Sequence, residues 1–317
     1  MRAAQYPVAT GEIEIVDLPD PEPGPGEVLV EVHVSGVNPT DWKGRKRGRG
    51  EFERVIPNQD GAGVIAAVGD GVDNARVGER VWLWEAEWQR DHGTAGELIA
   101  LPSDHAVPLP DGVGFDAGAG LGIPAMTAHR CLFAGGAPKD AAVLVHGGAG
   151  AVGHAAIQFA VWAGARVAAT VSTAEKAELA RGAGAELVVN YREQDVAAAV
   201  REWAPDGVRR IVEVDLRNLP VDAAVIGDGG GISAYAGAEP SEFPWDLFAR
   251  NTTLDLVLVY TMPDAAKHAA IAAIGEALRD GALQPLPFTR FPLEQTQAAH
   301  EAVEGGAIGK VLIDVRA

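Results

Sequence analysis

A chain of 317 residues with a formal net charge of −18 repels phosphate backbones, which argues against nucleic acid as a partner. Hydrophobic residues make up 47% and charged residues 22%, so the chain can bury a sizeable core in two ordinary domains or one large one. Its one cysteine, Cys131, excludes an intramolecular disulfide and any multi-cysteine zinc site. No apolar run reaches the length of about 18 residues that a membrane helix needs, and residues 1–7 lack the apolar core of a signal peptide. A cytoplasmic protein without membrane association is the expectation.

In chain order, residues 1–120 read as β-rich. Val28, Val30, Val32 and Val34 alternate with Leu29, Glu31 and His33, the period-two pattern of a strand, after a Pro- and Gly-rich turn at residues 19–26. Shorter apolar runs at 63–68, 80–84 and 96–100 are each bounded by Gly, Asp or Pro. Arg45, Lys46, Arg47 and Arg49 form a basic cluster among glycines, which reads as a solvated loop. From about residue 141 the rhythm changes. Strand-like runs at 141–145, 166–171, 186–190, 208–214, 231–234 and 254–260 alternate with helical stretches at 152–163, 174–183 and 195–203, which predicts βαβ units and a parallel sheet. A helix over 265–279 ended by Gly281, a strand near 287–291, a helix near 293–304 and a last strand at 310–315 follow. This tail is expected to return to the first domain.

Residues 146–153 read HGGAGAVG, and within them Gly148, Gly150 and Gly153 match the dinucleotide fingerprint between an apolar strand and an apolar helix. The first glycine would permit the tight turn, the second would let a pyrophosphate approach, and the third would let helix and sheet pack closely. The helix opening at Ala151 and Val152 would offer unpaired N–H groups and a positive dipole end to the phosphates.

An NAD site usually carries an acidic residue at the end of the next strand. Here that strand ends Ala169-Thr170-Val171-Ser172-Thr173, with no carboxylate to repel a 2′-phosphate. Ser172 as a donor, Lys176 as a point charge, and Tyr191 with Arg192 on the next strand would form a 2′-phosphate pocket, so NADPH is expected over NADH. The competing reading of Lys176 is a solvated helix residue pairing with Glu175 or Glu178.

These residues resemble the medium-chain dehydrogenase/reductase superfamily and, within it, the zinc-free quinone oxidoreductase (zeta-crystallin-like) branch. The resemblance runs along nearly the whole chain: SGVNPTD at 35–41, PNQDGAGVI at 57–65, GERV at 78–81, GTAGELIALPSDHAVPLP at 93–110, PAMTA at 124–128, HGGAGAVG at 146–153 and NYRE at 190–193. It implies an α/β protein with a GroES-like β-rich catalytic domain and a Rossmann doubly wound parallel-sheet domain. The expected boundaries are 1–122 for the catalytic domain, 123–261 for the NADP-binding domain and 262–317 for the return. It also implies a homodimer joined through edge strands and a substrate bound between domains.

The zinc-dependent branches carry a cysteine and a histidine ligand where this chain has Asn38 and Gln59, and a cysteine-rich lobe that is missing here. No metal is therefore expected, and alcohol oxidation loses its Lewis acid. The function implied is NADPH-dependent, metal-free hydride transfer to a quinone or an activated carbon–carbon double bond. The alternatives are an enone, 2-alkenal or enoyl-thioester reductase of a biosynthetic pathway, or a non-catalytic NADPH-binding sensor.

The resemblance places Asn38 near the nicotinamide; the other reading is an Asn capping a turn before Pro39. Asp41 either orients that loop or starts a helix. Thr127 either contacts the nicotinamide or is a buried helix hydroxyl. Gly237 would lie near the nicotinamide ribose, and Lys310 resembles a C-terminal basic position near the cofactor. His146 is read as a satisfied polar residue at a strand end. Trp42-Lys43-Gly44-Arg45 stands where the family often places tyrosines. Trp82, Trp84 and Trp88 either line a pocket for a planar substrate or belong to the core. No general acid is evident.

Overall fold

A computed structural model describes residues 1–48, 52–237, 239–240 and 242–316. The chain divides into two units, Met1–Ile123 with Pro287–Ala317, and Pro124–Leu286.

The first unit opens with strands β1 (Arg2–Pro7), β2 (Glu14–Asp17), β3 (Glu27–Val37), β4 (Arg54–Val55), β5 (Asp60–Val68), β6 (Arg80–Leu83), β7 (Leu98–Pro102) and β8 (Ala106–Pro108). Helices α1 (Pro39–Arg47) and α2 (Phe115–Gly118) complete this stretch of chain, and α3 (Gly122–Phe133) leads into the second unit, which takes it from Pro124. Along β3 the valines at 28, 30 and 32 are fully buried and their neighbours are not, as the alternation predicts.

The second unit runs β9 (Ala142–Val145), α4 (Ala151–Trp162), β10 (Arg166–Val171), α5 (Ala174–Gly182), β11 (Leu187–Asn190), α6 (Val196–Trp203), β12 (Val208–Glu213), α7 (Leu219–Val225), β13 (Ile226–Ala234), α8 (Trp245–Ala249), β14 (Thr253–Leu256) and α9 (Asp264–Arg279). Its strands are ordered β11-β10-β9-β12-β13-β14 and every pair is parallel. That is the doubly wound arrangement. Val143, Leu144, Val145, Val167, Ala168, Ala169, Ile211 and Val212 are buried as continuous runs, because helices cover both faces of such a sheet.

The chain then returns through β15 (Phe288–Pro292), α10 (Thr296–Glu304) and β16 (Lys310–Asp314). β16 pairs antiparallel with β3, Val311 opposite Val37, and adds Val311 and Ile313 to the first core. The seven-stranded sheet reads β15-β16-β3-β5-β6-β8, with β7 also on β3; β1, β2 and β4 form a separate small sheet.

The structure departs from the sequence pattern in four places. The return to the first unit comes at Pro287, not at residue 262. Helix α9 and its exit belong with the second unit because Gln158 of α4 donates to the Gln284 carbonyl and accepts its N–H, while the Trp162 indole donates to Asp280. The run 254–260 is strand only to Leu256: β13 ends at Ala234, so the ladder stops with the Val257 N–H on the Ala234 carbonyl, and Val259–Thr261 turns as a 3-10 helix. The strand expected at 231–234 starts at Ile226; its glycines hid it, since they pack poorly in strands. Arg45, Lys46 and Arg47 are the last turn of α1 rather than a loop, where positive charge suits the helix dipole. Arg45 is buried and donates to the Gly11 carbonyl, and Lys46 pairs with Glu304. Arg49 lies outside the described residues.

Candidate functional site

The glycine turn leaves β9 after Val145. Gly147 takes the left-handed conformation, φ +69°, and its N–H donates to the Thr170 hydroxyl at 3.2 Å, while the Gly148 N–H donates to the Thr170 carbonyl at 3.0 Å. The tight turn therefore falls to Gly147, one residue before the fingerprint, and not to Gly148 as expected. Gly148 is required by packing: a Cβ there would stand 2.8 Å from the Ala169 Cβ and 3.0 Å from the Ile157 Cδ1. At Gly153 a Cβ would come within 2.3 Å of the Gly147 carbonyl oxygen, which is the close approach of helix to turn. At Gly150 a Cβ would meet nothing nearer than the Gly147 oxygen at 3.4 Å. Gly150 is the N-cap of α4, and no side chain caps the helix there, so no side-chain oxygen takes up the N–H groups at Ala151 and Val152. This open, donor-rich helix start fits a pyrophosphate.

Ser172 follows the last residue of β10 and is buried. Thr173 caps α5, accepting the Lys176 N–H at 3.3 Å. Glu178 pairs with Arg181, and among the described residues no carboxylate lies in salt-bridge distance of Lys176. The Tyr191 N–H reaches the Val171 carbonyl, which brings Tyr191 to the strand end beside Ser172; its side chain is 53% exposed. Thr127 is buried in α3 and Gly237 is exposed beyond the end of β13; among the described residues neither is hydrogen-bonded to the glycine turn.

The first unit brings together residues that the sequence kept apart. Asn38 is the N-cap of α1 and its N–H donates to Asp41 Oδ2 at 2.6 Å; Asp41 is the third residue of the helix rather than its cap. The Asn38 Nδ2 donates to Asp60 Oδ2 at 2.7 Å, and the Asn38 Oδ1 accepts from Lys310 Nζ at 2.7 Å. Lys310 also lies 3.8 Å from Asp60, whose other oxygen accepts the Ile123 N–H at 2.9 Å. All four side chains are buried. Burial, with Glu87 and Asp60 adding to it and Lys310 opposing, holds the Asp41 carboxyl well above the ordinary range. Burial also raises Asp60 and lowers Lys310, each pulled back by the other's charge. Asp41 Oδ1 has no hydrogen-bond partner. Lys310, expected beside the cofactor, is thus locked between Asn38 and Asp60.

Gln59 donates to Glu87 Oε2 at 3.3 Å and accepts the Glu87 N–H at 3.1 Å. Both amides at the positions of the zinc branch's ligands are spent on protein partners, and an ammonium already neutralises Asp60. The donor set does not fit a zinc ion. Beside it, Asn58 sits in the left-handed region (φ 83°) and joins Ser35 Oγ to His300 Nε2. Trp82 and Trp84 belong to the core, Trp84 stacking on His105 at 4.1 Å.

Sequence reasoning missed a second buried cluster. His146 is tied by Nδ1 to Thr170 Oγ1 at 3.1 Å and by Nε2 to Asp222 Oδ1 at 3.0 Å, with Glu213 Oε2 at 3.4 Å. Among the described residues this is the one group of His, Cys, Asp and Glu whose donor atoms lie close enough to hold a cation. The only hint was an acid, Glu213, directly after the apolar pair Ile211-Val212 at the end of β12. Asp60 gave the same hint at the start of β5.

Two family models match the chain, one described as alcohol dehydrogenase GroES-like domain over residues 24–111 and one as zinc-binding dehydrogenase over residues 151–273. The quinone oxidoreductase of Homo sapiens is 31% identical over 309 residues, covering 94% of this chain and 92% of that protein. The quinone oxidoreductase of Thermus thermophilus, solved also with NADPH, is 28% identical with a TM-score of 0.84, covering 99% of this chain and 100% of that one. A 2-haloacrylate reductase structure is 26% identical with a TM-score of 0.84, covering 100% of both chains.

Proposed function

Because this chain belongs to the quinone oxidoreductase branch of the medium-chain dehydrogenase/reductase superfamily, and is an enzyme of that type, we propose that it reduces quinones or activated carbon–carbon double bonds with NADPH and without a metal. The observation that carries the reading is the open helix start at Gly150 next to a β10 end, Ser172, that bears no acid.

The bound dinucleotide supplies the hydride. The amides of Ala151 and Val152 and the α4 dipole hold its pyrophosphate, and Gly148, Gly150 and Gly153 keep Cβ atoms out of the way. Ser172 donates to the 2′-phosphate, with Lys176 and Tyr191 flanking it. Thr127 and Gly237 stand on the nicotinamide side in this reading. In the first unit, Lys310 and Asp60 orient the Asn38 amide, whose second Nδ2 hydrogen is the group this reading offers to an acceptor on which negative charge develops. Asp41, whose carboxyl burial raises well above the ordinary range, keeps Oδ1 free of protein hydrogen bonds and steadies the Asn38 backbone through Oδ2. Without a zinc-type donor set the chain lacks the Lewis acid that alcohol oxidation needs, whereas an electron-poor acceptor needs only hydrogen bonding.

The protein works as a homodimer in this reading. Among the described residues β14 pairs with β13 alone and is the last strand of its sheet, and Leu256, Leu258, Trp245 and Phe248 in this part of the chain are exposed, Leu256 72% and Trp245 77%. A cytoplasmic setting agrees with the single buried thiol of Cys131. Likeness to a 2-haloacrylate reductase favours an activated double bond as the second acceptor class.

The test follows absorbance loss at the nicotinamide band with NADPH or NADH, benzoquinones, phenanthrenequinone and simple enones, with and without chelator. Turnover that prefers NADPH and survives chelation is expected. Tight NADPH binding with no acceptor oxidised would put the non-catalytic sensor in its place.

A further inference from the structure

Four consecutive groups connect a helix to the glycine turn. Asp222 of α7 holds His146 Nε2, His146 Nδ1 meets the Thr170 hydroxyl, and that hydroxyl accepts the Gly147 N–H. Thr170 lies on β10, His146 follows β9 and Glu213 ends β12, so one imidazole links the carboxyl ends of three adjacent strands, β10-β9-β12. Resting on the NADPH reading above, we propose that His146 is the positioning residue of the dinucleotide site, fixing the phosphate-binding turn through the Thr170 hydroxyl and taking its own orientation from Asp222 and Glu213.

A threonine hydroxyl has one hydrogen and two acceptor lobes. At Thr170 one lobe is used by the Gly147 N–H, and the contact with Nδ1 fixes how the hydroxyl rotates. Gly147 is the left-handed residue of the turn, so the direction of its N–H decides where the turn from 148 to 150 points. Gly150 accordingly closes on the Gly147 carbonyl at 2.9 Å. The other side of the ring is overdetermined. Asp222 Oδ2 and Glu213 Oε2 are buried and have no hydrogen-bond partner, whereas Glu213 Oε1 accepts from the Asp215 N–H and Asn218 Nδ2. Among the described residues no Lys or Arg lies in salt-bridge distance of either carboxyl. His146 is therefore the one donor side chain near both, hydrogen-bonded to Asp222 with the Glu213 carboxyl 3.4 Å away, and swinging the ring from Thr170 would break the Asp222 bond inside a buried acidic cluster. The two carboxyls hold the His146 imidazole above its ordinary pKa against the opposing effect of burial.

Thr170 is where this role separates from mere packing. Thr170→Val keeps the shape and removes the hydroxyl; Thr170→Ser keeps the hydroxyl and removes a methyl. NADPH is titrated directly by fluorescence, and KM, kcat and Tm are measured on the full chain. We expect Thr170→Val to raise the NADPH Kd and KM about tenfold, the usual effect of stranding a buried partner, with a much smaller change in kcat. Thr170→Ser should bind within about twofold of the unaltered chain. Asp222→Asn, which keeps an acceptor for Nε2, should fall between them. Wild-type affinity in Thr170→Val would overturn the positioning role. So would an equal loss in Val and Ser variants that follows Tm. If the unaltered chain itself binds no NADPH, the cofactor reading fails and this inference fails with it; binding by the unaltered chain together with either of the first two results rejects the inference alone.

Discussion

Each unit buries carboxyl groups around one nitrogen base, and the two arrangements settle the charge differently. In the first unit Asp60 and Asp41 stand near the ammonium of Lys310, which burial lowers and the two carboxyls raise, and which is also hydrogen-bonded to Asn38. In the second, the base beside Glu213 and Asp222 is the imidazole of His146, and Glu213 is pushed up to about 7, mainly by burial. Lysine opposes the rise that burial imposes on Asp60 and Asp41; with imidazole as the base, Glu213 still rises to about 7. The first cluster should therefore fail abruptly when its base is removed, and the second should partly compensate.

The largest effect should come from breaking the first cluster. Lys310→Met leaves Asp60 and the Asn38 oxygen without their donor, at a cost of roughly 3–5 kcal/mol in chemical denaturation. Asp60 and Asp41 are already raised by burial, and losing the ammonium raises them further. The loss should accordingly be greater at alkaline pH than at acid pH, where they are protonated. A loss independent of pH would show that packing of the lysine stem, not its charge, is what matters.

His146→Phe should cost less, about 1–3 kcal/mol, because Glu213 can keep a proton instead. The sign follows from the raised carboxyl. Glu213 binds its proton more tightly folded than unfolded, so its contribution is whole below its ordinary value of 4.5 and is lost as pH climbs through about 7. Losing His146 removes the charge that lowers Glu213, so its pKa rises further in the variant and the deficit should widen as pH climbs above about 7 in a Tm-against-pH series. A larger deficit than that of Lys310→Met would reverse the comparison.

The glycine turn sharpens it from a third side. Gly153→Ala forces a Cβ to within 2.3 Å of a backbone oxygen and should cost roughly 1–3 kcal/mol in Tm-derived stability. Gly150→Ala has room, so the fold should stand while NADPH titration shows a loss of affinity. Unimpaired NADPH binding in Gly150→Ala would remove the observation on which the proposed function rests.

The smallest effect is one of selectivity. Ser172→Asp places a carboxylate at the end of β10 and should turn the NADPH-to-NADH ratio of kcat/KM toward NADH by about tenfold, the equivalent of one like-charge contact of about 1.4 kcal/mol. No change in the ratio would move the 2′-phosphate away from Ser172.

The alternating valines of β3, the apolar strands of the second unit and the glycine spacing at 148, 150 and 153 were legible because each is a local pattern with a fixed period. The family motifs added the zinc-branch positions, Asn38 and Gln59. The sequence alone thus determined the two-part α/β architecture, the nucleotide-type turn, and the absence of an acid after Val171. It did not determine what surrounds those residues. Asn38, Asp60 and Lys310 meet only because β16 lies beside β3, which lies beside β5, and His146, Glu213 and Asp222 meet only because β12 lies beside β9 and α7 packs near by. The same holds for Gly147: nothing in a run of glycines says which one takes the positive φ until the Thr170 side chain and carbonyl claim the neighbouring N–H groups. Periodicity is a property of neighbours in sequence, whereas the charge state and hydrogen bonds of a buried polar group depend on neighbours across the sheet, and those only the tertiary structure decides.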